Sequence, residues 1–220
     1  MRAERVSVDR WRRYWDSHAA SYDRQMQRAE RYLLGDSRGW VCSQAAGQTL
    51  EVAIGTGLNL PFYPAGVNLT GVDFSPRMLA RAHRRAAELG STVDLREADA
   101  LALPFPDASF DTVVCTFGLC AVPDDGRAVA EAVRVLRPGG LLLLADHVEG
   151  AAWPVRAIQR LVEVVSVPLQ GEHALRRPLR HVEAAGLEVV RRERFKLGLV
   201  ERLAARKPIA AVGTARQNGE

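Results

Sequence analysis

Thr49–Tyr63 reads TLEVAIGTGLNLPFY. An apolar run of strand character ends there in a glycine-rich turn, Gly55-Thr56-Gly57, with the acidic Glu51 near the strand's end. Glycine has no Cβ, so such a turn takes the dihedrals of a tight strand-to-helix passage and lets a nucleotide-like ligand approach bare backbone. Sixteen positions after Gly57, Asp73 closes a second strand-like run, LTGVDFSP, where a carboxylate can accept hydrogen bonds from ribose hydroxyls. The two signals in register weigh far more than either alone.

Outward from this stretch the chain alternates. Strands are expected at Leu50–Ile54, Leu69–Asp73, Val93–Glu97, Phe110–Thr116 and Leu141–His147, with helices at Pro76–Leu89 and Arg127–Leu136. Ser75-Pro76 supplies a cap and a first helical proline, and Arg137-Pro138-Gly139-Gly140 a stop. Upstream, Val8–Leu34 places Trp11, Tyr14, Trp15, Ala19, Tyr22 and Met26 at helical spacing, and a second helical piece covers Gly39–Ala46. These helices cap the sheet edge or form a lid, with Tyr14 or Tyr22 reaching a ligand. Downstream come a helix at Ala151–Pro168, a polar segment at Gln170–Pro178, a helix at Leu179–Ala185, a strand at Leu187–Phe195 and an apolar run at Pro208–Val212. The last two are expected to pair as a hairpin at a sheet edge, before a frayed Thr214–Glu220.

The fold class is therefore α/β: a Rossmann-like, doubly wound, mostly parallel seven-stranded sheet with an antiparallel C-terminal hairpin and an N-terminal helical cap. Residues 1–46 are expected as the cap or lid and residues 47–220 as the ligand-binding core, together one structural domain. With 220 residues, 47% of them hydrophobic and 25% charged, the composition is that of a globular chain. Apolar stretches such as Leu141–Ala145 are too short to cross a bilayer, and Met1–Tyr32 lacks the apolar centre of a secretory leader. The net charge of +4 is spread among interleaved acids, so nucleic acid is not expected as a partner, and a membrane surface is not favoured. Cys42, Cys115 and Cys120 suit neither a zinc site nor a disulfide framework; a cytoplasmic location and no metal are expected.

The chemistry follows from what the glycine turn lacks. A dinucleotide site uses G-x-G-x-x-G with the pyrophosphate on a helix N-terminus, whereas Gly57 is followed by Leu58-Asn59-Leu60-Pro61, with no third glycine and no basic residue. A nucleoside without phosphates fits, and the hypothesis is S-adenosylmethionine. Glu51 would lie near its ammonium, Asp73 at the ribose, and Asp99 of READALALPF at the adenine amino group.

Glu51–Gly57, Gly71–Ser75, Glu97–Ala100, Phe110–Cys120 and Arg134–Leu141 together resemble the motif series of class I S-adenosylmethionine-dependent methyltransferases, specifically the UbiE-like or type 11 branch. LEVAIGTGLNLPFYP, VVCTFGLCAV and RVLRPGGLLLLADHV are especially similar to bacterial phosphatidylethanolamine N-methyltransferases and animal methyltransferase-like alkyl-thiol methyltransferases. The resemblance runs from about Tyr14 to Phe195. It departs at Ala53, which stands where the family's first glycine is usual, at Ile54, and in Gln170–Pro178. The apolar anchor of the animal thiol enzymes has no counterpart in Met1–Tyr32. Alanine at a strand end is expected to cost little.

The cofactor-binding set expected on these grounds is Tyr22, Glu51, Ala53, Gly55, Thr56, Gly57, Asn59, Asp73, Phe74, Ser75, Met78, Asp99, Ala100, Thr116 and Phe117. His147, after Asp146 at a strand end, is the candidate base, with Glu172, His173 and His181 behind it; Cys115 and Cys120 read as small buried hydrophobes. Trp11, Trp15, Trp153 and the apolar positions of Leu161–Leu169 suggest an apolar acceptor, a thiol, amine or hydroxyl of a metabolite or lipid. The alternatives are a nicotinamide-dependent oxidoreductase and a regulatory domain that holds S-adenosylmethionine without transferring methyl.

Overall fold

The computed structural model describes residues 2–209, with side chains described from Arg10 onward. Seven strands, β1 Gln48–Val52, β2 Asn68–Asp73, β3 Val93–Glu97, β4 Phe110–Thr116, β5 Leu136–His147, β6 Glu188–Phe195 and β7 Val200–Arg206, form one sheet in the order 3-2-1-4-5-7-6. The first five run parallel, while β7 is antiparallel to both β5 and β6. Thr49, Leu50, Glu51 and Val52 are all buried, as a central strand covered on both faces requires. The chain reverses its direction of winding between β1 and β4, and at such a switch point the carboxyl ends of the strands diverge to leave a crevice.

Local chemistry sets the helix bounds. In α3, Pro76–Leu89, Ser75 Oγ accepts from Met78 N at 3.2 Å and Gly90 ends the helix at φ +61°. In α4, Asp125–Val135, the cap is Asp124, which accepts from Arg127 N at 2.9 Å; the helix therefore starts two residues before the expected Arg127. Arg137–Gly140 is part of β5 rather than a loop after the helix. Gly139 N donates to Lys207 O at 2.7 Å and Lys207 N to Gly140 O at 3.0 Å, so the glycines form a bulged start to the strand.

The amino-terminal segment is one helix, α1 Arg2–Ala29, that continues into a π-helical turn at Glu30–Leu34 closed by Gly35 N on Glu30 O. The short α2, Ser37–Cys42, buries Val41 and Cys42 beneath β4, β5 and β7. On the opposite face α4 contributes Ala128, Val129 and Ala132 to the main core. Downstream, α5 spans Trp153–Gln170 and α6 spans Pro178–Ala184.

The terminal hairpin exists, but its second strand is Val200–Arg206. Glu201 is 6% exposed in that strand, held by Arg192 at 2.7 Å and Arg194 at 3.5 Å, and such paired charges hide a strand from hydrophobic patterning. The run Pro208–Val212 extends outside the described residues, as does Thr214–Glu220 entirely. Among the described residues no helix is long and apolar enough to cross a membrane.

Candidate active site

The switch point places two carboxylates at neighbouring strand ends. Asp73 Oδ2 accepts from Gly55 N and Oδ1 from Ser75 N, both at 2.9 Å, so it closes the turn between β1 and β2. It is 6% exposed, and burial pushes its carboxyl up from 3.8 to about 6 against those two N–H groups. Glu51, 1% exposed, accepts from Asn59 Nδ2 and from Tyr63 Oη, each at 2.8 Å. Burial raises it to about 7, opposed by Tyr63, Arg38 and Asn59.

Arg38 ties this network together and escaped sequence reasoning, because an arginine in a short helix reads as surface. It is buried and donates from Nη1 to Asn59 Oδ1 at 2.8 Å and to Thr116 Oγ1 at 3.1 Å, with its guanidinium carbon 5.3 Å from the centre of the Phe117 ring. Among the described residues its Nη2 has no partner. A buried donor without a partner is costly, and an anionic ligand group would relieve it. Tyr63 was missed too, although FYP directly follows the glycine turn.

A cleft of about 780 Å³, counted to its open mouth, lies at these strand ends. Of the expected cofactor residues it is lined by Tyr22, Ala53, Gly55, Asp73, Phe74, Met78, Asp99, Ala100 and Phe117. Asp99 Oδ1 accepts from Leu101 N at 2.9 Å. Glu51, Thr56, Gly57, Asn59, Ser75 and Thr116 do not line it. Glu51, Asn59 and Thr116 form the sealed layer beneath, and a Cβ on Gly57 would meet Leu60 at 2.9 Å and Ala82 at 3.3 Å, so that glycine serves packing on α3. Thr56 and Ser75 are held by α1: Thr56 Oγ1 donates to Asp23 and Ser75 Oγ to Asp16, each at 2.6 Å, while Arg85 pairs with Asp23 at 2.7 Å. Asp16 and Asp23, seven residues apart on one helix face, were readable as a stripe but not as a tether.

Ala53 adopts φ +56° and Phe117 φ +53°, the left-handed region that L side chains avoid. The expectation that alanine costs little at position 53 is corrected: the backbone there keeps the conformation a glycine would take without strain. Backbone outliers of this kind gather at ligand sites, and here both line the cleft.

Outside the residues that line the cleft, Asp146 is 3% exposed and accepts from His147 N at 2.8 Å and Cys120 N at 3.1 Å. His147 Nδ1 lies 3.5 Å from Asp146 Oδ1, with part of the ring open to solvent. Glu172, raised by burial and opposed by His147, shares this corner, as does Tyr14, whose ring stacks on His18 at 3.9 Å. His173 and His181 sit apart, His173 with its protonation disfavoured by burial and His181 with Nε2 3.3 Å from Asp125 Oδ2. Ligand-type atoms of Cys120, Asp146 and His147 lie within 4.8 Å of one another, but both Asp146 oxygens already accept backbone N–H groups. All three cysteines are buried, and burial pushes each thiol up, which suits inert packing. Trp11 and Trp15 line the cleft as expected, but Trp153, 74% exposed, and the outward apolar positions of Leu161–Leu169 do not, which corrects their reading as pocket wall.

The sheet and its crevice define a Rossmann-like methyltransferase fold. Its solved counterparts include an S-adenosylmethionine-dependent methyltransferase from Thermotoga maritima, 24% identical, with a TM-score of 0.67, covering 88% of this chain and 98% of that one. Residues 50–144 match the family described as "Methyltransferase domain". The chain is 44% identical over 116 residues to phosphatidylethanolamine N-methyltransferase of Cereibacter sphaeroides, covering 52% of this chain and 57% of that protein. It is 39% identical over 138 residues to demethylmenaquinone methyltransferase of Deinococcus radiodurans, covering 58% and 57%. The chain thus spans a little over half the length of these curated relatives.

Proposed function

We propose that the chain transfers a methyl group from S-adenosylmethionine to a small apolar acceptor. The observation that carries this reading is the charge at the strand ends. Glu51 and Asp73 sit buried at adjacent strand ends, both driven toward protonation, and the glycine turn between them holds no basic residue. A cationic nucleoside suits these two carboxylates, and the carboxylate of its amino-acid part suits the buried Arg38 in the Glu51 network.

In this reading Asp73 holds the ribose, Asp99 the adenine amino group, and Gly55 offers bare backbone, with no expected side-chain atom nearer a Cβ there than Tyr22 at 4.0 Å. Glu51, one layer below, would supply negative potential toward the ammonium through Asn59 and Tyr63, and the buried Arg38 would hold the cofactor's carboxylate. When bound, S-adenosylmethionine supplies an electrophilic methyl on a sulfonium, an excellent leaving group. The protein's main contribution is then alignment. Trp11, Trp15, Phe117, Val122 and Pro123 line an apolar wall suited to an acceptor of lipid or quinone kind, in keeping with the names of the relatives. For a hydroxyl or ammonium acceptor, His147 Nε2 receives the proton, while Asp146 beside Nδ1 favours the tautomer that leaves Nε2 free. Residues 1–46 act as a lid, pinned through Asp16 and Asp23 to the turns that hold the cofactor.

Calorimetric titration tests the cofactor: S-adenosylmethionine and S-adenosylhomocysteine should bind and NAD should not. No uptake of either adenosyl compound would overturn the reading. Formation of S-adenosylhomocysteine with an acceptor panel then separates a methyltransferase from a domain that only holds the cofactor.

A further inference from the structure

A surface helix normally turns its apolar stripe inward and its charges outward. α5 does the reverse. Arg156, Gln159, Glu163 and Ser166, spaced three, four and three residues apart, form a polar stripe that faces the protein. Gln159 is 8% exposed and bonds to Gly150 N, Val148 O and Ala174 O at 2.7 to 2.9 Å. Glu163 accepts from Leu175 N and Ser166 Oγ donates to Glu172 O, both at 2.8 Å. The opposite half carries Trp153, Ile158, Leu161, Val164, Val165 and Leu169, each more than half exposed. No acidic side chain stands on that half, and α5 packs broadly against no other described helix or strand.

An exposed apolar face of this length, about 27 Å for 18 residues, marks a contact surface. Its rim is basic. Arg160 is exposed at its edge, and Arg10 of α1, also exposed, donates to Pro168 O at the carboxyl end. At the amino end the β6–β7 turn presents the exposed Lys196 and Leu197, and Leu197 O accepts from Ala151 N at 3.2 Å. Two copies joined across this face by a twofold axis would set like charges against each other. An anionic bilayer neutralises them.

We propose that α5 lies in the interface of an anionic lipid bilayer, its apolar half among the acyl chains and its arginine rim on the headgroups. The far end of the helix meets the cleft, because Gly171 packs on the indole of Trp11, with a Cβ there only 2.9 to 3.1 Å from the ring. That the lipid face feeds an acceptor to the cleft rests on the proposed methyl transfer; the docking itself does not.

Co-sedimentation of the full chain with phosphatidylcholine vesicles, with and without phosphatidylglycerol, tests it. Binding should require the anionic lipid. Leu161→Glu with Val165→Glu, at positions already in solvent, should weaken binding by about tenfold or more. Arg160→Ala and Lys196→Ala should each weaken it by about fivefold. Both sets should leave S-adenosylmethionine affinity unchanged, so failure of the docking is distinguishable from failure of the cofactor reading. Absence of binding to either vesicle, equal binding to both, or equal binding by the Leu161→Glu/Val165→Glu chain would overturn the proposal. So would a solution dimer, seen by sedimentation velocity, that Leu161→Glu dissociates.

Discussion

Replacing Glu51 with Gln keeps the side chain's shape and removes its ionisation. Burial raises the folded-state pKa from 4.5 to about 7, so the folded chain holds this proton more tightly than the unfolded chain does. The stabilisation by the protonated carboxyl is full below about pH 4.5 and is lost as pH rises through about 7. That rise, at about 1.36 kcal/mol per pH unit, amounts to roughly 3 kcal/mol lost by the wild type. Glu51→Gln escapes that loss. Asp73 also loses stabilisation in this window, but it does so in both proteins and cancels in the comparison. Urea unfolding followed by tryptophan fluorescence at several pH values reads the difference, worth about 1 M in midpoint at a slope near 3 kcal/mol/M. The gap between variant and wild type should therefore move in the variant's favour by roughly 3 kcal/mol between about pH 4.5 and pH 8. Parallel curves across that range would refute the desolvation argument. The same ionisation predicts that binding a cation near pH 6 expels a proton from the wild type. Calorimetry in buffers of different ionisation enthalpy should detect that release, and Glu51→Gln should reduce it to the part that Asp73 contributes.

Asp73→Ala deletes the acceptor for two backbone N–H groups and for the ribose; S-adenosylmethionine affinity should fall about a hundredfold, and unaltered affinity would contradict the ribose role. Ala53→Gly releases a left-handed alanine, a cost of about 1–2 kcal/mol partly offset by glycine's greater unfolded freedom. Net stabilisation of roughly 0.5–1 kcal/mol should appear as a melting point raised by about 1–4 °C, and a lowered melting point would count against strain at that turn. His147→Ala should slow transfer to a hydroxyl or ammonium acceptor by about a hundredfold or more with cofactor affinity intact; unchanged turnover would remove it from the reaction.

The parts of the fold written in local chemistry were legible. Ser75-Pro76 and Gly90 bound α3 where a cap, a first-turn proline and a left-handed glycine require, and β3 and β4 begin and end at the expected residues. What the sequence could not show is what a residue meets across the fold. Glu201 disguised β7 because its arginine partners lie on β6, and Arg38 looked like surface because Asn59 and Thr116 reach it from distant segments. The cofactor site was half legible for the same reason. The strand-end residues reach the cleft, whereas Glu51, Asn59 and Thr116 turned out to be the layer that supports it.

The misreading of α5 has a different cause, and it bears on how the molecule is divided. Helical spacing tells which residues share a face but not on which side of the helix the protein lies. Trp153 and Leu161–Leu169 were therefore assigned to a pocket when they face outward. Both α1 and α5 lie outside residues 50–144, the stretch that matches the methyltransferase family. In the proposed reading the matched stretch carries the cofactor chemistry, while the surfaces that would select and admit an acceptor come from the two helices beyond it. Those helices meet where Trp11 packs on Gly171 and Arg10 caps Pro168, at the mouth of the cleft. Since α1 also grips Ser75 and Thr56 through Asp16 and Asp23, in the proposed reading a shift of α1 would act on the turns assigned to the cofactor.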